Sequence, residues 1–237
     1  DRIIMVACGT ASYACDVAKY AIEKYSRIPV QVELSHEFRY RDPIVTKNTL
    51  IVAVSQSGET MDTLMATRYA KEQGAKVLAI CNTQGATLAR ESDAVIYTHA
   101  GPEVAVASTK ALTAQITAGF LLALFLGAGR EQLSTAELRH LGLELLKMPA
   151  HVTEVIENLD LARKLGKEMA NAKSVLFLGR NVGFPIAMEG ALKLKELAYI
   201  HAEGFAAGEL KHGPIALIEE GQPVIVIVPS QRDEESL

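Results

Sequence analysis

Leu50-Ile51-Val52-Ala53-Val54 is apolar at every position and rich in β-branched residues. A strand with one wet face alternates polar and apolar residues; one without alternation is covered on both faces, as in a parallel sheet. The run therefore asks for helices on either side of the sheet. The next residues agree with this. Ser55-Gln56-Ser57-Gly58-Glu59-Thr60 leads into Met61 to Gln73, which has helical spacing and stops at Gly74, a residue favoured just past a helix end. The same grammar recurs along the chain. Arg2 to Ala7 is a short apolar run ending in Cys8-Gly9-Thr10, and a helical pattern covers residues 11–25. Residues 30–34, 77–81 and 94–97 read as strands, and Ser108-Thr109 is placed to cap a long helix through Leu126. Strands alternating with helices imply βαβ units in a parallel α/β architecture.

The second half begins the pattern again, about 170 residues later. Ser174-Val175-Leu176-Phe177-Leu178-Gly179 resembles residues 3–9, Glu209-Leu210 matches Glu37-Phe38, and residues 224–228 match residues 50–54. The expectation is two tandem units: residues 1–145, a helical linker over 146–158 broken by Pro149, and residues 159–237. The second copy stops early, since only residues 229–237 come after its third strand. A truncated chain or a real gap in the protein would each explain this.

The gross numbers remove several classes. A net charge of −4 and the lack of a basic stripe with aromatics argue against nucleic acid. Cys8, Cys15 and Cys81 are odd in number and lack metal-like pairing, which fits reduced thiols in a cytoplasmic setting. No signal peptide is visible. Residues 111–126 are apolar but include Thr113, Gln115 and Thr117 and fall short of the ~20 residues of a membrane span. A buried core helix is expected there, not a membrane protein. Gly179 and Gly183 do not form a dinucleotide fingerprint, and neither a P-loop nor a His-Glu-x-x-His pair exists. No cofactor and no metal are expected.

Two regions carry candidate chemistry. The first is Ser55 to Thr60. Amide groups at a helix N-terminus lack partners and favour anions. Ser55, Ser57 and Thr60 add hydroxyls, and Gly58 is expected to let the backbone approach an anion closely. An ordinary helix cap is the competing reading. The second is the helix from Pro185 to Ala198, in which Glu189, Lys193 and Glu196 share one face while most other positions are apolar. Either they form a solvated i,i+4 ion pair or they line a cleft, where burial and opposed charge suit a general base. The helix is expected to be buried. Residues 201–214, polar and glycine-rich, are expected to form a loop, with His212 on an ordered turn before Gly213-Pro214. Cys8 would need a nearby base to act as a nucleophile, and none is identifiable from sequence. A residue lining a ligand cleft fits it better.

Cys8-Gly9-Thr10, Ser55 to Thr60, Val106-Ala107-Ser108-Thr109-Lys110 and Glu189 to Pro214 together resemble the isomerase half of the glutamine–fructose-6-phosphate aminotransferases. The similarity covers essentially the whole chain. The Ser-Gln-Ser-Gly-Glu-Thr loop indicates the wider sugar isomerase (SIS) fold; residues 189–196 with 208–214 are more specific. The resemblance implies that fructose 6-phosphate and ammonia become glucosamine 6-phosphate. It further implies that Ser55, Gln56, Ser57 and Thr60 hold the phosphate, and that Cys8, Gly9, Thr10, Val106 and Ser108 line the sugar. Glu189 belongs to the substrate site, Glu196 moves a proton between C1 and C2, Lys193 assists it, and His212 opens the ring from a neighbouring subunit of a homodimer. The family's glutaminase domain and its C-terminal tail, whose lysine forms a Schiff base with the sugar, have no counterpart in these residues. Ala11 stands where a hydroxyl residue occurs in some relatives. The alternative is a binding module or a related phosphosugar isomerase or deglycase; Lys193, Glu196 and His212 together favour the aminotransferase.

Overall fold

Five strands pair in parallel in the order β2-β1-β3-β4-β5 in this computed structural model, which describes residues 2–229. They are β1 (Arg2–Ala7), β2 (Val30–Leu34), β3 (Thr49–Ser55), β4 (Lys76–Cys81) and β5 (Ala94–Tyr97). The unbroken apolar strands do what their composition demands. Ile3, Met5, Val52, Val54 and Ile80 face one helical layer, made by α1 (Thr10–Ser26) and α5 (Lys110–Gly129). Ile4, Val6, Ile51, Ala53 and Val77 face the other, made by α2 (Ser35–Phe38), α3 (Met61–Glu72) and α4 (Thr87–Glu91). Successive residues point to opposite faces, so two cores share one set of strands.

Helix α5 is long and apolar enough to cross a membrane by length and composition. Here it lies against α1. A Cβ on Gly119 would sit 2.5 Å from the Cβ of Ala18, so the crossing requires a glycine. The expected cap of this helix is also replaced. Thr109 makes no side-chain cap bond. Instead the Glu103 carboxylate, six residues back, accepts from Ala111 N at 3.0 Å, Thr109 N at 3.3 Å and Thr109 Oγ1 at 3.1 Å.

The chain divides into two compact units, Asp1–Ser134 and Thr135–Leu237. The division precedes the sequence-based boundary at 145, because α6 (Thr135–Leu146) groups with the second unit. The expected linker coincides with α7 (Met148–Glu157), in which Pro149 occupies the first turn, where its missing N–H costs nothing. Helix α8 (Asp160–Met169) comes next. The end of the second unit as read from sequence, residues 230–237, lies outside the described residues.

The second unit repeats the first three strands of its predecessor. Strands β6 (Ser174–Gly179), β7 (His201–Ala206) and β8 (Val224–Ile227) pair in parallel in the order β7-β6-β8, and α9 (Gly183–Ala198) links β6 to β7. Two expectations need correction. Residues 201–206 form a strand rather than a loop, followed by two 3-10 turns over 207–212 and 214–217. The glycine that suggested a loop serves packing: a Cβ on Gly204 would lie 2.7 Å from Met188 Sδ and 2.9 Å from Met188 Cα. Helix α9 is buried only over its first half. Pro185, Ala187, Glu189 and Ala191 are buried, whereas residues 195–199 are exposed.

Candidate active site

In the first sheet the chain leaves β1 toward β2 and returns on the other side of β1 to make β3. The loops at the carboxyl ends of β1 and β3 therefore diverge, and a crevice opens between them, as at the switch point of open α/β sheets. A cavity of about 190 Å³ occupies this position. Cys8 and Thr10 border it from the β1 side, Ser55, Gln56, Ser57 and Thr60 from the β3 side, and Ser108 and Gln115 from the start of α5. None of the lining side chains is formally charged.

The β3–α3 loop holds its own shape. Ser55 Oγ accepts from Gly58 N at 3.1 Å and lies 3.1 Å from Thr60 Oγ1; Ser57 Oγ accepts from Glu59 N at 3.2 Å. Gln56 carbonyl oxygen accepts from Asn82 N at 3.1 Å and Thr83 N at 3.3 Å, which ties the loop to the end of β4. Thr60 sits at the N-cap of α3 yet makes no side-chain cap bond. The hydroxyls thus do not serve as an ordinary cap, and the amide end of α3 opens beside them.

Gly58 has a packing reason to be glycine besides the one expected. Its φ is 66°, and a Cβ would lie 2.6 Å from Ala86 Cβ and 2.7 Å from Cys81 Sγ. The residue is demanded by the loop's packing on its neighbours. Glu59 also turns away from the cavity: its carboxylate accepts from Thr87 N at 2.7 Å at the start of α4, and this bond holds its pKa below the ordinary carboxylate value. Glu103 is lowered in the same way, first by its bond from Ala111 N.

The other residues expected around the sugar fall into two groups. Cys8, Thr10 and Ser108 line the cavity. Gly9 supplies the turn: at φ 56° it precedes α1, and its carbonyl accepts from Ser12 N at 2.9 Å and Ser12 Oγ at 2.7 Å. Val106 is fully exposed, at 103 %, and does not line the cavity, while the next residue, Ala107, is buried. The structure adds two residues. His36 Nδ1 lies 4.0 Å from Cys8 Sγ, so an imidazole does stand near the thiol, across 28 residues of sequence. Gln115 is the second. Its polar character inside an apolar helix was the only sequence signal for it.

In the second unit, α9 brings its charged stripe together as the 3.6-residue period requires. Lys193 Nζ bonds Glu196 Oε2 and lies 3.5 Å from Glu189 Oε1. Burial is graded along the stripe: the side chains of Glu189, Lys193 and Glu196 are 6 %, 19 % and 34 % exposed. One ammonium thus serves a buried carboxylate and an accessible one. An accessible carboxylate held by a fixed cation can exchange protons with a ligand, whereas a purely structural pair needs no such gradient. His212 ends the 3-10 turn, exposed, next to Gly213 at φ 144°. His201 instead pairs with Glu203 at 3.0 Å on the exposed β7 edge. No group of three or more potential metal ligands occurs among the described residues.

The SIS domain family model matches residues 1–125 and 168–237, that is, both sheets and the loops just described. The chain belongs to the SIS domain family. Within it, the whole chain is 67 % identical to a "glutamine–fructose-6-phosphate aminotransferase [isomerizing]" of Corynebacterium efficiens and 65 % identical to the protein of the same name in Corynebacterium glutamicum. It spans 38 % of the length of each. Among solved SIS structures, the C-terminal domain of a glucosamine-fructose-6-phosphate aminotransferase from Francisella tularensis superposes with a TM-score of 0.94 at 42 % identity. That match covers 98 % of this chain and 65 % of the other.

Proposed function

We propose that the chain is the isomerase part of an isomerizing glutamine–fructose-6-phosphate aminotransferase. In this reading it converts fructose 6-phosphate and ammonia to glucosamine 6-phosphate for amino-sugar synthesis. The observation that carries it is the graded Glu189–Lys193–Glu196 stripe in a chain that also holds an uncharged, hydroxyl-lined cavity at a sheet switch point. A module that only bound phosphosugars would need the cavity and not the stripe.

The roles follow from the chemistry of each group. Ser55, Ser57 and Thr60 hydroxyls and the amide end of α3 donate to the phosphate. Cys8, Thr10 and Ser108 border the sugar. Ammonia condenses at C2 of the open ketose, and the resulting imine acidifies the hydrogens on C1. Glu196 takes a proton from C1 and returns one to C2, which leaves an aldehyde at C1 and an amine at C2. Lys193 fixes the Glu196 carboxylate and places positive charge beside the developing enolic oxygen. Glu189 fixes Lys193 in turn. His212, exposed on its turn, opens the sugar ring of a neighbouring subunit, so the active form is a cytoplasmic homodimer. A glutaminase domain elsewhere in the full-length protein releases the ammonia.

The test is an assay of the purified full-length protein with glutamine and fructose 6-phosphate. Glucosamine 6-phosphate formation is the expected outcome. Glutamine hydrolysis with no aminosugar formed would overturn the reading.

A further inference from the structure

The proposed roles leave the contact between Cys8 and His36 without a task. Cys8 is half-buried and lines the cavity between β1 and β3. His36, in α2, places Nδ1 4.0 Å from its sulfur. On the far side of the ring, Nε2 lies 3.8 Å from the Glu37 carboxylate. With its proton on Nε2, toward Glu37, the imidazole is free to accept at Nδ1. A thiol at an imidazole is a nucleophile beside its base. The other two cysteines have no such setting. Cys15 and Cys81 are buried, and burial is the largest cause that raises both thiol pKa values. Neither borders the cavity. Buried thiols of this kind are inert, whereas reactivity needs access and a suitable neighbour.

The cavity also supplies a holder for what the sulfur attacks. Gln115, 4 % exposed, lines it, and its side chain makes no hydrogen bond among the described residues. Its Oε1 is shut away, so Nε2, a donor, is the atom left to a ligand. Together with the hydroxyls of Ser55 and Thr60 it favours an acceptor oxygen near the reacting carbon. We propose that Cys8 is a covalent modification site for small, soft carbon electrophiles that carry a carbonyl, with His36 as the base. With a haloacetamide, a sulfur lone pair forms the C–S bond and the carbon–halogen pair leaves as halide. The thiol proton passes to His36 Nδ1. The modified side chain then occupies the cavity, so modification and phosphosugar binding exclude each other. The exclusion rests on the phosphosugar reading of the cavity; the reactivity of Cys8 does not.

The full-length protein is treated with iodoacetamide, and the labelling rate of each cysteine is read by peptide mass mapping. His36→Asn and His36→Gln variants are treated in parallel. In the unmodified protein Cys8 should label well before Cys15 and Cys81. Each His36 variant should slow Cys8 roughly 10²-fold, the lower end of general-base assistance, and leave Cys15 and Cys81 unchanged. Those two thiols report on folding: if one variant exposes them, the other carries the test. Fructose 6-phosphate at about ten times its Kd should slow Cys8 roughly tenfold, because only free sites react. Cys8 labelling no faster than Cys15 and Cys81 would overturn the proposal. So would a Cys8 rate that neither His36 replacement changes. Fast, His36-dependent labelling that fructose 6-phosphate leaves unchanged would support the modification site and overturn the phosphosugar reading of this cavity.

Discussion

The two units share the order of their first three strands, β2-β1-β3 in one and β7-β6-β8 in the other, yet they use the carboxyl ends of those strands in opposite ways. In the first unit the loops after β1 and β3 part around a cavity. In the second, the start of α9 closes onto the strand ends. A Cβ on Gly179 would lie 2.0 Å from Gly183 O, and one on Gly183 would lie 2.9 Å from Ile227 O. No methyl group fits there. The second unit presents its polar residues further along α9, on the Glu189–Lys193–Glu196 stripe. One topology can therefore carry a binding crevice or a charged helix face, and which one depends on a few small residues at the switch point.

This contrast predicts that damage to the two units separates into two kinds of defect. The largest effect is expected in the second unit. In the full-length protein, Glu196→Gln should lower aminosugar turnover roughly 10³-fold, the scale of general acid–base catalysis, while fructose 6-phosphate affinity by calorimetry stays within about twofold. Lost affinity with turnover retained would reverse the division of labour. Next, Ser55→Ala combined with Thr60→Val removes two donors to a charged group and should weaken fructose 6-phosphate binding on the order of 100-fold. Turnover at saturating substrate should persist.

Glycine substitutions sharpen the contrast through stability. Gly58→Ala combines a positive φ with contacts below 3 Å to Ala86 and Cys81, and should cost about 2–4 kcal/mol in denaturant unfolding. Gly179→Ala should damage the second unit in the same assay at least as much, since backbone atoms of Gly183 and Phe184 block the methyl. A neutral effect at Gly179 would mean that the closed switch point is not closed.

The smallest effect concerns pH. Glu59 and Glu103 have pKa values lowered chiefly by backbone hydrogen bonds at the starts of α4 and α5. A carboxyl lowered by folding stabilises above its unfolded pKa, about 4.3 for glutamate. That contribution fades as pH falls through the folded value. Both groups sit in the first unit, so Glu103→Gln should slightly lower the melting temperature at neutral pH and flatten its decline in acid. An unchanged acid profile would show that the cap does not survive in solution.

The fold and the site were not equally legible in the sequence. Strand and helix types, their order, and the internal repeat were readable because each rests on periodicity over a few neighbouring residues. The charged stripe on α9 was readable for the same reason: residues three and four apart on a helix must share a face. The misreadings share a cause as well. Gly204 looked like loop chemistry until Met188 was found against it, and Ser108-Thr109 looked like a cap until Glu103 took that place. Gly58 carries a further demand that no local pattern records, since Ala86 and Cys81 fill the place of its Cβ. A residue's type narrows what it can do, while the choice among those options belongs to its neighbours in space.

By itself the sequence determined a parallel α/β chain with a repeated unit, a hydroxyl-rich strand-to-helix loop and a helix with one charged face. Those features come from local spacing and from the covering that unbroken apolar strands require. Only the tertiary structure decided that the loop's hydroxyls leave α3 uncapped, that His36 stands beside Cys8, and that Gln115 lines the cavity. The last two depend on elements distant in sequence meeting at the carboxyl ends of the strands, and no short-range pattern records such a meeting.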